Sequence, residues 1–257
     1  MKNSHYFVIL ALNLFVGLSP ALAVKVYTST PTIYESAAGN GLGFSYVGNV
    51  NGASGVYLGN YNGSYYVLTA NHVGGGNFSL NSTNYSMVTN SYTQVTPGVD
   101  LGIFRIVGDS QLDALTKLVL GSSLFTSSSL NMIGYGGGTK RGGFNTPDSA
   151  QFITYDGYNE VVLITDYDMV EGQAQAIGGD SGGGVFYQNG SSLELAGLIV
   201  IAGTDNTSKE ITGSVDVGYY RNQILARVPE ASTVSFWIVI SLFFIGYTWR
   251  YQKSRCR

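Results

Sequence analysis

Short apolar runs separated by turn residues recur along the chain between residues 55 and 203. Examples are GVYLGNYNGSYYVLTA, DLGIFRIV, LNMIGYG, AQFITYD, EVVLITDYDMV and LELAGLIVIAG. They are rich in β-branched and aromatic residues and are bounded by Gly, Asn, Ser or Asp, which is typical of β-strands. Asn62-Gly63 and Asn189-Gly190 are dipeptides typical of hairpin turns. The pattern predicts an all-β fold.

Helical patterns are short in this sequence. Ser110 to Val119 predicts one short helix, and it lies between two clusters of predicted strands. Tyr219 to Ala226 offers two helical turns at most. Two strand clusters joined by one helix favour two small barrels or sandwiches.

The N-terminal residues 1–23 have the pattern of a secretory signal peptide. Lys2 precedes an apolar run from Tyr6 to Val16, and Ala21-Leu22-Ala23 fits a small-x-small cleavage site. Val24 is then the new N-terminus. An uncleaved membrane anchor is disfavoured because the apolar run is short.

The C-terminal residues 228–257 have the order of a sorting signal. VPEAS leads into the uncharged segment 234–249, and four basic residues follow among the last eight. This order resembles the PEP-CTERM signal of Gram-negative bacteria, although Ala231 replaces the usual Pro. The resemblance implies an exosortase-type processing enzyme as a partner, and a segment 234–249 that lies in the inner membrane before processing. A plain C-terminal anchor would look much the same.

Composition narrows the possible partners and cofactors. The chain has 13 Lys and Arg, 16 Asp and Glu, and a net charge of −3. Five of the 13 basic residues lie in the two targeting segments, so the exported body is acidic and nucleic acid is an improbable partner. The body holds no Cys and a single His, which excludes an ordinary Cys/His zinc site. We expect no metal and no cofactor.

Three polar residues in otherwise apolar or Gly-rich surroundings could carry chemistry. Ser181 lies in IGGDSGGGVF, where glycines permit a tight loop that exposes its hydroxyl. His72 ends the apolar run YVLTA, and Asp100 opens the apolar run LGIFRI. A lone His is usually structural and a lone Asp is usually a turn residue, but a serine hydroxyl needs an adjacent base to become a nucleophile.

LTANHV, VDLGIFRI and GGDSGGGVF, in this order, resemble the three site motifs of the trypsin-like (chymotrypsin-fold) serine proteases. Gly134-Tyr135-Gly136 also falls where that family often carries Gly-Trp-Gly. The resemblance implies two six-stranded antiparallel β-barrels with the active site between them. The protease domain would span residues 24–227, with barrels at about 24–109 and 120–227.

The resemblance also implies a role for each site residue. His72 would be the general base, Asp100 would orient it, and Ser181 would be the nucleophile. The backbone amides of Gly179 and Ser181 would form the oxyanion hole. The primary substrate pocket would have Gln175 at its base and Val200, Ala202 and Gly203 in its walls. Because Gln175, at the bottom of this pocket, is not an acid, the substrate residue before the scissile bond is expected to be neutral or small and apolar.

Asp180 departs from one pattern of the family. In activated digestive members this acid pairs with a newly freed N-terminal amine, but no IVGG-like start is present here. A local hydrogen bond of Asp180 is therefore expected, with Val24 as the alternative partner.

The leading interpretation is an exported serine endopeptidase that acts on proteins or peptides through an acyl-enzyme. It would be secreted or attached to the outer surface of a Gram-negative bacterium. The alternative is a catalytically silent surface protein that keeps the fold for binding or as a scaffold. A third interpretation is a Gly/Ser/Tyr-rich matrix protein in which the three motifs are accidental.

Overall fold

A computed structural model describes residues 24–29, 43–122 and 128–228 of the chain. The predicted leader 1–23, the predicted apolar helix 234–249 and the basic tail lie outside these described residues. Within these three ranges, no helix is both long and apolar enough to cross a membrane.

The described residues form β-strands of two to 13 residues and two short α-helices. The strands are β1 (Lys25–Val26), β2 (Val47–Val50), β3 (Ala53–Tyr61), β4 (Ser64–Thr69), β5 (Phe78–Leu80), β6 (Thr83–Tyr85), β7 (Thr93–Gln94), β8 (Gly102–Ile106), β9 (Val119–Leu120), β10 (Leu130–Gly134), β11 (Arg141–Asn145), β12 (Ser149–Tyr155), β13 (Tyr158–Asp166), β14 (Ala174–Gln175), β15 (Gly184–Asn189), β16 (Ser192–Thr204) and β17 (Glu210–Asp216). The helices are α1 (Ser110–Asp113) and α2 (Arg221–Arg227).

The N-terminal barrel is a sheet with the strand order β6-β5-β2-β3-β4-β8-β7. Asn62 and Gly63 both have positive φ, 55° and 79°, and form the predicted tight turn between β3 and β4. The chain continues from β6 to Met87, which forms an antiparallel bridge with Ile106 of β8. That bridge closes a ring of six strands, β2 to β6 and β8.

The C-terminal barrel has the order β11-β10-β15-β16-β17-β13-β12, with β9 added in parallel beside β16. Residues 146–148 join β11 to β12, so these two pieces act as one bent strand that pairs with β10 at one end and β13 at the other. The ring therefore also contains six strands.

The prediction of an all-β fold with two six-stranded antiparallel barrels is confirmed. One apolar cluster includes Val47 and Val56 from the first barrel and Phe186 and Leu198 from the second, so the barrels share buried surface. Although it precedes the first barrel in the chain, β1 pairs with β14 beside the second barrel.

The predicted helix from Ser110 to Val119 is wrong in length. Only α1 is helical, with the Asp109 carboxylate capping its first amides. After it, the Leu118 amide donates to the Leu58 carbonyl at 2.9 Å, and β9 pairs with β16. Extended pairing between the barrels replaces the remaining helical turns.

Candidate functional site

His72 and Asp100 come together at one end of the N-terminal barrel. His72 lies in a turn after β4, and Asp100 lies two residues before β8, the strand that pairs with β4. Asp100 Oδ2 lies 2.6 Å from His72 Nδ1, and Asp100 Oδ1 accepts the His72 backbone amide at 2.9 Å. The carboxylate thus holds the residue by its ring and by its backbone.

The bond to Asp100 also sets the protonation of the imidazole. Hydrogen bonding to Asp100 is the main cause that raises the pKa of His72, while partial burial acts in the opposite direction. Because Asp100 is 4% exposed, water screens this interaction poorly. With Asp100 ionised, Nδ1 donates to the carboxylate and Nε2 of a neutral ring is left as the free acceptor.

Ser181 lies in a tight loop between β14 and β15. The Gly183 amide donates to the Asp180 carbonyl at 2.7 Å, and the Gly182 amide donates to the Ile199 carbonyl at 2.7 Å. Gly182 has a φ of 84°, and a Cβ there would lie 2.1 Å from the Ser54 carbonyl oxygen. Only glycine fits this position, because the loop presses against β3 of the other barrel.

His72, Asp100 and Ser181 line the same cavity, which has a volume of about 220 Å³. The N-terminal barrel supplies the first two residues, and the C-terminal barrel supplies the third. Among the described residues, no hydrogen bond joins the Ser181 hydroxyl to the imidazole. Such bonds are often long in substrate-free proteins and shorten when substrate binds.

The backbone amides of Gly179 and Ser181 lie on either side of Asp180. Neither amide donates a hydrogen bond to another group within the described parts of the chain. Gly179 has a φ of 94°, a conformation that favours glycine. Its carbonyl accepts from the Ser54 hydroxyl at 3.1 Å, which fixes this peptide group against the first barrel.

Comparison with known families now identifies the domain. A family described as trypsin-like peptidase domain matches residues 53–193, which is more than half of the chain. The chain belongs to the trypsin-like peptidase family. A search of curated proteins finds no match.

Solved structures agree with this peptidase fold. The active form of the Rv3671c protease from M. tuberculosis has a TM-score of 0.55 and 16% identity, and the match covers 87% of this chain and 96% of that one. The inactive form of the same protease has a TM-score of 0.53 and 19% identity, with 79% and 98% covered. At these identities the likeness shows the fold alone.

Asp180 of this peptidase binds backbone amides rather than a charged partner. It is fully buried and accepts from Ile177 at 2.8 Å, Gly136 at 2.9 Å and Val24 at 3.2 Å. Burial raises the pKa of Asp180 to about 6, although the three amides act against this. The local bond expected from the sequence is present, and so is the contact with Val24, the residue predicted to become the N-terminus.

Two of the four predicted pocket residues line the cavity of the peptidase. Val200 and Ala202 do so, together with Ile177. Gln175 lies below the surface at 5% exposure, and its amide nitrogen contacts the carbonyl oxygens of Gly203 and Ile211 at 3.5 and 3.3 Å. Gln175 and Gly203 therefore touch each other but do not line this cavity.

Other residues near the site were not found by the sequence analysis. Tyr155 and Asp156, at the turn between β12 and β13, also line the cavity. Their only sequence signal is Asp156-Gly157, a typical hairpin dipeptide. Glu160 binds the Asp100 backbone amide at 2.7 Å, and its signal was a charged residue at the start of an apolar strand.

Among the described residues, no group of three or more His, Cys, Asp or Glu side chains could hold a metal ion.

Proposed function

We propose that this trypsin-like peptidase is a serine endopeptidase with His72 as base, Asp100 as orienting acid and Ser181 as nucleophile. The observation that carries the proposal is the 2.6 Å contact of His72 with Asp100 beside the cavity that Ser181 also lines. Peptide bonds are the substrate class that membership of the family implies.

In the proposed reaction, His72 Nε2 takes the Ser181 hydroxyl proton as Oγ attacks the carbonyl carbon of the peptide bond. The imidazolium then gives that proton to the leaving amine as the C–N bond breaks. A water molecule then attacks the acyl-enzyme carbonyl, with His72 again as the base. The bond to Ser181 Oγ breaks, which releases the carboxylic acid product and restores the hydroxyl. Asp100 stays ionised throughout and stabilises the positive imidazole.

The negative oxygen of each tetrahedral intermediate would bind the amides of Gly179 and Ser181. These amides have no acceptor among the described residues, so they are available to it. Loss of one such donor can cost about 100- to 1000-fold in rate.

The substrate residue before the cleaved bond would be neutral, and small or apolar. Ile177, Val200 and Ala202 give one part of the cavity an apolar wall. Gln175, the predicted base of the pocket, is buried and uncharged, so it supplies no carboxylate for a Lys or Arg side chain, and the acid that lines the cavity beside the proposed triad is Asp156.

Removal of residues 1–23 during export would change the partner of Asp180. In the unprocessed chain, the Val24 nitrogen that lies 3.2 Å from Asp180 belongs to a neutral amide. After cleavage it would be an α-amine, which is mostly protonated at neutral pH. The resulting ion pair would support the loop that carries Gly179 and Ser181. Processing of the PEP-CTERM-like segment 228–257 would then release the enzyme or leave it at the cell surface.

Cleavage of a peptide library by purified residues 24–227 tests this function and the pocket preference together. The proposal expects cuts after neutral residues, lost in Ser181→Ala. If the folded protein cuts no peptide while it binds peptides, it is the catalytically silent binding protein instead.

A further inference from the structure

The first residues of β13 hydrogen-bond the two loops that carry His72 and Asp100. The Tyr158 hydroxyl accepts from the Asn71 side chain at 3.0 Å, and the Asn159 amide donates to the Gly98 carbonyl at 2.7 Å. The Glu160 carboxylate accepts from the Asp100 amide at 2.7 Å. Three successive residues of the C-terminal barrel thus fix three points of the N-terminal barrel beside the site.

The burial of the Glu160 carboxyl group in this contact costs free energy. It is 1% exposed and lies close to Asp100, a second buried acid. Burial, with a smaller effect of Asp100, raises the pKa of Glu160 to about 7, whereas the Asp100 amide and His72 lower it. A buried carboxyl group beside another acid costs free energy unless its hydrogen bonds offset the cost. The hydrogen bond from the Asp100 amide offsets part of that cost, and it does so at a residue of the proposed site.

The Glu160 bond is the first link of a chain that ends at the imidazole. Glu160 holds the backbone of Asp100, and the Asp100 carboxylate holds both the ring and the backbone amide of His72. Ser181 belongs to the same barrel as Glu160. A shift of Glu160 would therefore move the base relative to the hydroxyl that it must deprotonate.

We propose that Glu160 is a positioning residue for the His72–Asp100 pair, acting from the C-terminal barrel through the backbone amide of Asp100. The inference rests on the proposed function, since positioning matters only if the pair serves Ser181. Glu160 does not line the cavity, so it would not touch substrate.

Two substitutions separate the hydrogen bond from the charge. Glu160→Met fills a similar volume with only a weakly accepting thioether, and Glu160→Gln keeps a strong acceptor without a charge. The matched control is Glu194→Met, because Glu194 is also buried in the C-terminal barrel and accepts one bond, from Asn189 at 3.0 Å.

The measurement is the rate at which a fluorophosphonate labels Ser181. We expect Glu160→Met to label about 10- to 100-fold more slowly than wild type, because displacement of a catalytic group by about 1 Å can cost about 100-fold. Glu160→Gln should stay within about threefold of wild type, by the same geometric argument. Folded Glu160→Met that labels at the wild-type rate overturns the inference, as does a control that is equally slow.

If Glu160→Met does not fold, the pH dependence of the labelling rate can still be measured in Glu160→Gln. The titratable groups that act on Glu160 are Asp100 and His72 from the other barrel, and Glu160 in turn acts on Tyr220, which precedes α2. An ionised Glu160 raises the pKa of His72, so Glu160→Gln should move the acid limb of the labelling profile to lower pH. The position of that limb reports the charge of Glu160, whereas labelling above the limb reports the position of the base. Glu160→Gln that labels more than about threefold slower than wild type there contradicts the inference, because this variant keeps the acceptor.

Proton NMR distinguishes failure of this inference from failure of the proposed function. If wild type does not label, the endopeptidase proposal fails, but the low-field resonance of the His72 Nδ1 proton still reports the bond to Asp100. The resonance should shift in Glu160→Met and not in Glu194→Met. An identical resonance in wild type and Glu160→Met overturns the positioning role.

Discussion

At the scale of single residues, the bond between Asp100 and His72 is the interaction with the largest expected effect on rate. Asp100→Asn should lower kcat/KM by about 1,000- to 10,000-fold, since an amide favours the wrong imidazole tautomer. Steady-state cleavage of a preferred peptide measures this loss. Asp113→Asn is the control, because Asp113 is an exposed acid that bonds Asn60 and Tyr65 on the same barrel.

The same pair sets the pH dependence of activity. His72 must be neutral to act as a base, and Asp100 raises its pKa. Activity should therefore fall as pH drops through a pKa above the ordinary histidine value of about 6.5. In Asp100→Asn the residual activity should persist to lower pH. An acid limb at the same pH in both proteins would contradict the assigned pair.

At the scale of elements, β1 links processing of the N-terminus to the Ser181 loop. Its pairing with β14 brings Val24 to Asp180. We predict that a chain cut by a tag protease to begin at Val24 labels faster than the uncut chain. Cleavage of the same tagged chain with Asp180→Asn is the control, and it should give no gain. Equal labelling before and after the cut would argue against the switch.

The stability of the two forms should also differ with pH. With a neutral Val24 amide, the pKa of Asp180 is raised from 3.8 to about 6. The folded state then binds more protons than the unfolded state between these values, so the free energy of unfolding should decrease as pH rises through that window. The cut chain should lose this decrease, because an ammonium lowers the pKa of Asp180. Thermal melts of both forms at pH 4 and pH 7 measure the effect.

Sequence patterns predicted the strands that lie in the six apolar runs, because the causes of these strands are local: β3, β4, β8, β10, β12, β13 and β16. The Asn62-Gly63 turn follows from a backbone conformation that those residues adopt readily, and the loop around Ser181 follows from its glycines. The region after Asp113 could not be predicted in this way, because Leu118 and β9 take extended partners far away in the chain. The proposed role of Glu160 could not be predicted for the same reason, because it depends on which loop of the N-terminal barrel lies beside Glu160 in the fold.

At the scale of the whole molecule, Ser54 connects the barrels beneath the site. Its hydroxyl accepts from the Tyr135 amide at 2.8 Å and donates to the Gly179 carbonyl at 3.1 Å, and its own amide donates to the Ser181 carbonyl at 2.9 Å. Ser54→Ala should cost about 1–3 kcal/mol of stability, because the Tyr135 amide loses its acceptor.

Activity of Ser54→Ala should fall through kcat more than through KM, because the Gly179 peptide loses a contact next to the proposed oxyanion site. Urea unfolding and steady-state kinetics measure the two effects. Ser79→Ala is the control, because among the described residues the Ser79 hydroxyl bonds Asn84 alone, within the N-terminal barrel. If Ser54→Ala is less stable but keeps wild-type kinetics, the prediction is wrong, and Ser54 supports the packing of the barrels without affecting the proposed site.

The fold positions the proposed base and nucleophile on different barrels, so activity should depend on how these barrels pack. The most direct measurement is fluorophosphonate labelling of the purified protein at neutral pH, with the modified residue located by mass spectrometry. The account predicts a single adduct on Ser181 that is absent in Ser181→Ala and nearly absent in His72→Ala. A correctly folded wild type that forms no adduct, or an adduct rate unchanged in His72→Ala, would contradict it.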